Sequence, residues 1–119
     1  MKRIKFEIES LHIWLAISYL GLAKYDLFWE HINKVEQQKN IAYGWIAAYY
    51  ILQKEIAQAK YFTEKIESTA ETDQTIAFLN GILLCEEGKT EEGSKILQTL
   101  LPTLRLALTK QIAMRYVGE

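Results

Sequence analysis

Pro102 is the only proline in the chain, and this scarcity of backbone breakers constrains the fold more than any other feature. A proline removes a main-chain donor and clashes with the preceding turn, so a chain almost without it is free to run as helix over long stretches. The apolar side chains use that freedom at helical spacing. Leu11, Trp14, Leu15 and Tyr19 share a face within 4–20, and Tyr25, Phe28, Trp29, Ile32 and Val35 do so within 23–37. Strand signals are poor: no long stretch alternates β-branched with polar residues, and there is no Asn-Gly or Asp-Gly hairpin turn. The fold class expected is all-α.

The same spacing continues downstream. Ile41, Trp45, Ala48, Tyr49 and Leu52 predict a helix near 40–53, and Ile56, Ala59, Phe62, Thr63 and Ile66 another near 55–69. Thr72 and Asp73 offer a start for a fifth helix over 73–86, which carries Ile76, Leu79, Leu83 and Leu84 and is stopped by Gly88. Thr90 is the expected N-cap of a sixth, with Glu91 and Glu92 at the positive end of its dipole. Pro102 ends that helix, and a last one over 102–116, with Leu104, Leu106, Leu108, Ile112, Ala113 and Tyr116, is expected to cap the assembly. About seven helices result.

At 119 residues the chain suits one domain with one core or one short stack. Fourteen basic against fifteen acidic side chains leave a formal charge of −1, so no overall positive field exists to collect a phosphate backbone, and nucleic acid is not an expected partner. Lys2, Arg3 and Lys5 form the one dense basic run and read as a solvated terminus. Glu7, Glu9 and His12 interrupt what would be a secretory apolar core, and Lys24, Lys54 and Glu86-Glu87 break every stretch that could span a bilayer. With a lone cysteine, Cys85, excluding an internal disulfide, a cytoplasmic location is expected.

Paired short helices with small residues between them are the mark of a helical repeat. In the segment from Ala77 to Leu97, the residues Gly81, Leu84, Gly88, Gly93 and Leu97 follow a small, large, turn, small, large pattern. This segment resembles a tetratricopeptide repeat. Stepping back by the family's 34 residues lands on Ala47, Tyr50 and Ala59, so the size classes recur although the identities do not. A first copy over 7–37, with Gly21 in its turn, fits at an offset near 33 and puts Asp26 at the second-helix small position. The resemblance implies a single domain over 1–119 made of antiparallel helix pairs stacked as a short right-handed solenoid. Its repeats lie at about 7–37, 40–70 and 74–101, followed by the capping helix at about 102–116. A generic helical bundle is the competing architecture.

In that family the first helix of each pair lines a concave groove. Carried over by spacing, the lining falls on Ile41, Gly44, Ala48, Ile51 and Leu52 in the second repeat and on Thr75, Phe78, Ile82, Cys85 and Glu86 in the third. The first copy gives Ile8, Leu11, Leu15, Ser18 and Tyr19. These positions hold no Lys, Arg or Asn with which to clamp a carboxylate, and an apolar groove suits the nonpolar face of an amphipathic helix from a partner protein. The plan is similar to that of the small cytosolic chaperones of bacterial type III secretion, which hold needle-subunit helices in such a groove. Two rival readings share the same residues: the chain's own last helix folds into the groove, or two copies dimerise through it. Eleven of the fourteen aromatic residues lie between Trp14 and Phe62 and read as core, with Trp29 and Trp45 the candidates for exposure.

Catalytic and cofactor signals are weak. His12 and His31 stand 19 residues apart with no second ligand at helical spacing, and read as solvated or capping side chains; one cysteine builds no zinc site. Glu86 and Glu87 beside Cys85 disfavour its thiolate. No glycine-rich phosphate loop occurs, so neither an enzyme nor a cofactor is expected.

Overall fold

The computed structural model describes residues 2–117 and, among them, is all-helical with no strand. Seven α-helices follow in order: α1 Lys2–Gly21, α2 Tyr25–Ile32, α3 Lys39–Leu52, α4 Ile56–Lys65, α5 Asp73–Glu86, α6 Thr90–Leu100 and α7 Ala107–Met114. The closest helix packing is between chain neighbours, α1 with α2, α3 with α4 and α5 with α6. The pairs touch one another through α1 with α3, α3 with α5 and α4 with α5.

One backbone device closes all three pairs. Ala23, Lys54 and Gly88 adopt left-handed φ angles of 60°, 63° and 93°, and each residue that follows donates its N–H back five residues. These bonds are Lys24 to the Tyr19 carbonyl at 2.9 Å, Glu55 to Tyr50 at 2.9 Å and Lys89 to Leu84 at 2.8 Å. This is the Schellman arrangement, which satisfies carbonyls that the ending helix leaves open. The first turn therefore lies at Ala23 and not at Gly21, which is still the last residue of α1. The three turns are 31 and 34 residues apart; the first interval is shorter because α2 has 8 residues where α4 has 10 and the loop after it is one residue shorter.

Aligned on these turns, equivalent positions share one fate. Ala16, Ala47 and Gly81 are buried on the first helices, and Phe28, Ala59 and Gly93 on the second. A methyl group at Gly93 would come within 2.7 Å of the Cys85 Sγ, and one at Gly81 within 3.1 Å of Leu97, so side-chain absence sets how closely α5 and α6 approach. In the first pair Phe28 fills the second-helix position and stacks on Tyr49 of α3 with ring centroids 5.6 Å apart. Tyr25 and Trp29 meet the same tyrosine edge-on. Five of the eleven aromatic residues in the run, Tyr25, Phe28, Trp29, Tyr49 and Tyr50, thus meet at the seam between the first two pairs.

Several boundaries differ from the periodicity. Val35 and Ile66 lie past the ends of α2 and α4, yet both are buried as loop residues; apolar spacing records burial and does not distinguish a last turn from a packed loop. Lys89, not Thr90, is the N-cap of α6, and the Thr72 hydroxyl bonds back to the Glu67 carbonyl instead of capping α5. Pro102 sits in a 3-10 turn, Leu101–Thr103, after which Leu104 and Leu106 are extended, so the last helix begins only at Ala107.

Glu9 locks the first pair to the second. It is 7 % exposed on α1, on the face that carries Ile13, Ala16 and Leu20, and its carboxylate accepts the N–H of Gln37 at 3.0 Å and of Gln38 at 3.2 Å. Those donors lie just ahead of α3, where a negative charge also meets the positive end of the helix dipole. Burial works to raise the Glu9 pKa, but the N–H groups of Gln37, Glu36 and Gln38 outweigh it and hold the carboxyl below its usual range.

Candidate partner-binding cleft

The face formed by α3 and α5 is divided in two. Its first half is an open cleft of about 740 Å³ bounded by the start of α1, the first turns of α3 and α5, and the segment 103–109. Ile41 stands 45 % exposed on α3, Phe6 is 49 % exposed on α1, and the buried Ala48 and Phe78 form the floor. Gly44 keeps that floor low: a methyl group there would press within 3.2 Å of Thr75. The polar rim is largely occupied in holding the walls together. The Gln38 amide donates to the Ser10 hydroxyl at 3.3 Å, Asn40 accepts the Glu67 N–H at 3.2 Å, and Gln74 donates to Thr103. Of the lining residues only Glu71 and Arg105 are charged.

The second half is closed by α7. Ile112 and Ala113 are fully buried and belong to the same apolar cluster as Ile51 and Ile82. Just beyond α7, the Tyr116 hydroxyl donates to Glu86 Oε2 at 2.5 Å. Lys54 Nζ donates to the same oxygen at 3.0 Å and to the Tyr116 hydroxyl at 3.4 Å. The trio joins the turn after α3, the end of α5 and the end of α7. The hydrogen bond from Tyr116 and the Lys54 ammonium keep the Glu86 carboxyl below its usual range, while burial and the same carboxylate push the Tyr116 hydroxyl up.

The residues expected to line a groove therefore separate into groups. Ile41, Gly44, Ala48, Thr75 and Phe78 do line the cleft. Ile51 and Ile82, at 1 % and 0 % exposure, are core, so replacing them by aspartate would unfold the chain before it tested binding. Leu52 is half-buried against the core. Cys85 faces α6 across Gly93, with its thiol 3.8 Å from the Thr90 carbonyl, and burial followed by the Glu86 charge pushes its pKa up. Glu86 is taken by the ion-pair trio.

Leu11, Leu15 and Tyr19 are not in the groove. The 33-residue offset is two residues longer than the 31 that the turns establish, and a two-residue slip turns a helix by about 200°. In the corrected register the equivalents of Ile41, Gly44, Ala48 and Ile51 are Ser10, Ile13, Ile17 and Leu20. Tyr19 instead stacks on His31, and His31 on His12, whose Nδ1 atoms are 2.9 Å apart. The two histidines are half-buried partners across the first pair, not solvated caps. Trp29 and Trp45 are half-buried, and the well-exposed tryptophan is Trp14, at 56 %.

Glu9 was legible as a signal of a different kind: an acid in register with Ile13, Ala16 and Leu20 on a buried face must be paired. Among the described residues no cluster of three or more His, Cys, Asp or Glu could hold a metal ion, and no helix is long and apolar enough to cross a membrane. No family model, curated protein or solved structure matches this chain.

Proposed function

We propose that the chain is a protein-binding module that takes a short amphipathic helical segment of a partner protein into the cleft over Ile41, Gly44 and Phe78. The observation that supports this reading is the apolar floor of that cleft, open to solvent and free of charge, with Ile41 and Phe6 exposed along its lining. Such a surface recognises anchors at i, i+3 or i+4 and i+7 through burial, and its rim amides exclude water. The seat of α7 argues for the same occupant, because the neighbouring half of the face already holds an eight-residue helix by Ile112 and Ala113. Shielding an assembly-prone helix in this way is the work of a chaperone, and the resemblance of the sequence to tetratricopeptide repeats makes a needle-subunit chaperone of type III secretion one such candidate.

The buried Ile51 and Ile82 beside the docked α7 favour a second reading, in which the groove is filled by the chain itself and the protein serves as a structural or adaptor subunit. Titration with synthetic helix-stabilised amphipathic peptides of about eight residues, roughly two turns, followed by NMR shifts of the Gly44 amide and the Trp45 indole, separates the two. The module reading expects shifts confined to the cleft and at least a tenfold loss of affinity in Ile41→Asp, an exposed position whose substitution leaves stability within about 0.5 kcal/mol. Shifts absent with every peptide, or unchanged by Ile41→Asp, would leave only the self-filled reading.

A further inference from the structure

The outer face of α1 carries a second apolar stripe that the fold does not use. Ile4, Ile8, Leu11 and Leu15 are 54, 48, 63 and 41 % exposed, and Leu22, in the turn just beyond, is 64 % exposed. Together with Ser18 they step along the chain by four, three, four, three and four residues, the alternation of a coiled-coil seam. Glu9, Ile13, Ala16 and Leu20, which pack into the body, lie on the opposite side of the same helix. The end of a helical stack is ordinarily polar, because nothing else covers it; here it is a stripe about 30 Å long.

We infer that this stripe is a dimer interface, covered by α1 of a second copy of the chain running antiparallel across a two-fold axis near residue 13. The pattern is its own complement under that operation. Ile4 lies against Leu22 of the second copy, Ile8 against Ser18, and Leu11 against Leu15, so every seam position meets another seam position. The one polar member, Ser18, has its hydroxyl bonded to the Trp14 carbonyl at 3.0 Å and brings no unsatisfied donor into the seam.

Charge selects the antiparallel direction. The residues flanking the seam put Lys5 opposite Tyr19 of the second copy and Glu7 opposite Gly21, so neither meets a like charge. Arg3 and Lys5 lie near the C-terminal carbonyls of the opposing helix, where the dipole favours cations. A parallel pairing would instead place the two basic ends together. Trp14 would face its own copy at the axis, covering an aromatic ring that the isolated chain leaves open. The exposed parts of the stripe with Trp14 amount to roughly 600 Å² per copy, hence about 1,200 Å² for the pair, which reaches the range of specific interfaces. The cleft lies on another face of the protein, so this dimer stands or falls independently of what the cleft binds.

Sedimentation velocity on the full chain from 1 to 100 µM tests the assignment. The expected species has twice the 13.8 kDa chain mass, and Leu11→Glu with Leu15→Glu raises the dimer dissociation constant at least a hundredfold while helical circular dichroism is unchanged. Ile41→Asp, in the cleft, leaves the dimer intact. In a Cys85→Ser background, Trp14→Cys forms a disulfide-linked dimer under mild oxidation and Thr99→Cys, on α6, does not. A wild-type chain that stays monomeric at 100 µM overturns the proposal, whether or not a different protein is later found on the stripe. A dimer that survives the double Leu→Glu substitution does so equally.

Discussion

Two side chains between the first helices make the fold sensitive to acid. The Glu9 carboxyl is held below its usual range, so the stability it confers is complete above about pH 4.5 and is lost as the pH falls through its folded value. His12 is also depressed, by burial first and then by Lys34 and the neighbouring His31, and its contribution is complete above about pH 6.5 and lost on further acidification. Both signs agree: the melting temperature should fall in two stages as the pH is lowered from 7.5 to about 2.5, with no gain at any step. Glu9→Gln should cost about 1.5–3 kcal/mol at neutral pH, the worth of hydrogen bonds to a charged group, and should shrink the lower stage, to which Glu86 also contributes. A melting curve for Glu9→Gln that parallels the wild type down to about pH 2.5 would contradict the role given to its hydrogen bonds. The acid itself is visible in the sequence as a charge on a buried face, but its partners are not, because Gln37 and Gln38 reach it only through a loop 28 and 29 residues away.

The helices and their pairing are readable from apolar spacing, and the close approach of α5 and α6 from Gly81 and Gly93 alone. The register of the first pair is not, because Ala23 carries no sign that it adopts a left-handed turn. A search for glycine stops at Gly21, and the groove assignment rotates to the wrong side of α1 with it. The three turns make a test of this account with opposite signs. Ala23→Gly should stabilise the protein by about 0.5–1 kcal/mol, since glycine takes that conformation without the methyl clash, and Gly88→Ala should destabilise it by about 1 kcal/mol or more. Chemical denaturation of the two variants measures both; equal signs would mean that the turns are not equivalent. The end of the chain is harder to read for a different reason: Leu104 and Leu106 are apolar enough to mimic a helix, yet they follow a proline turn in extended form.

Across the whole molecule, three segments far apart in sequence are tied at one point, where Lys54 and Tyr116 share Glu86. Removing the hydroxyl in Tyr116→Phe should loosen α7 without disturbing the stacked pairs. Hydrogen exchange should then quicken over 107–114 by several-fold and remain unchanged in α3 and α5, at a cost near 1 kcal/mol. Protection of α7 equal to wild type would show that Ile112 and Ala113 suffice to hold it. The position of that helix also sets a length rule for any visitor. A guest of about two turns can lie in the vacant stretch beside Ile41, but a longer one runs into the chain's own tail and must displace it, so the latch at Tyr116 decides how much of a long partner this protein can hold.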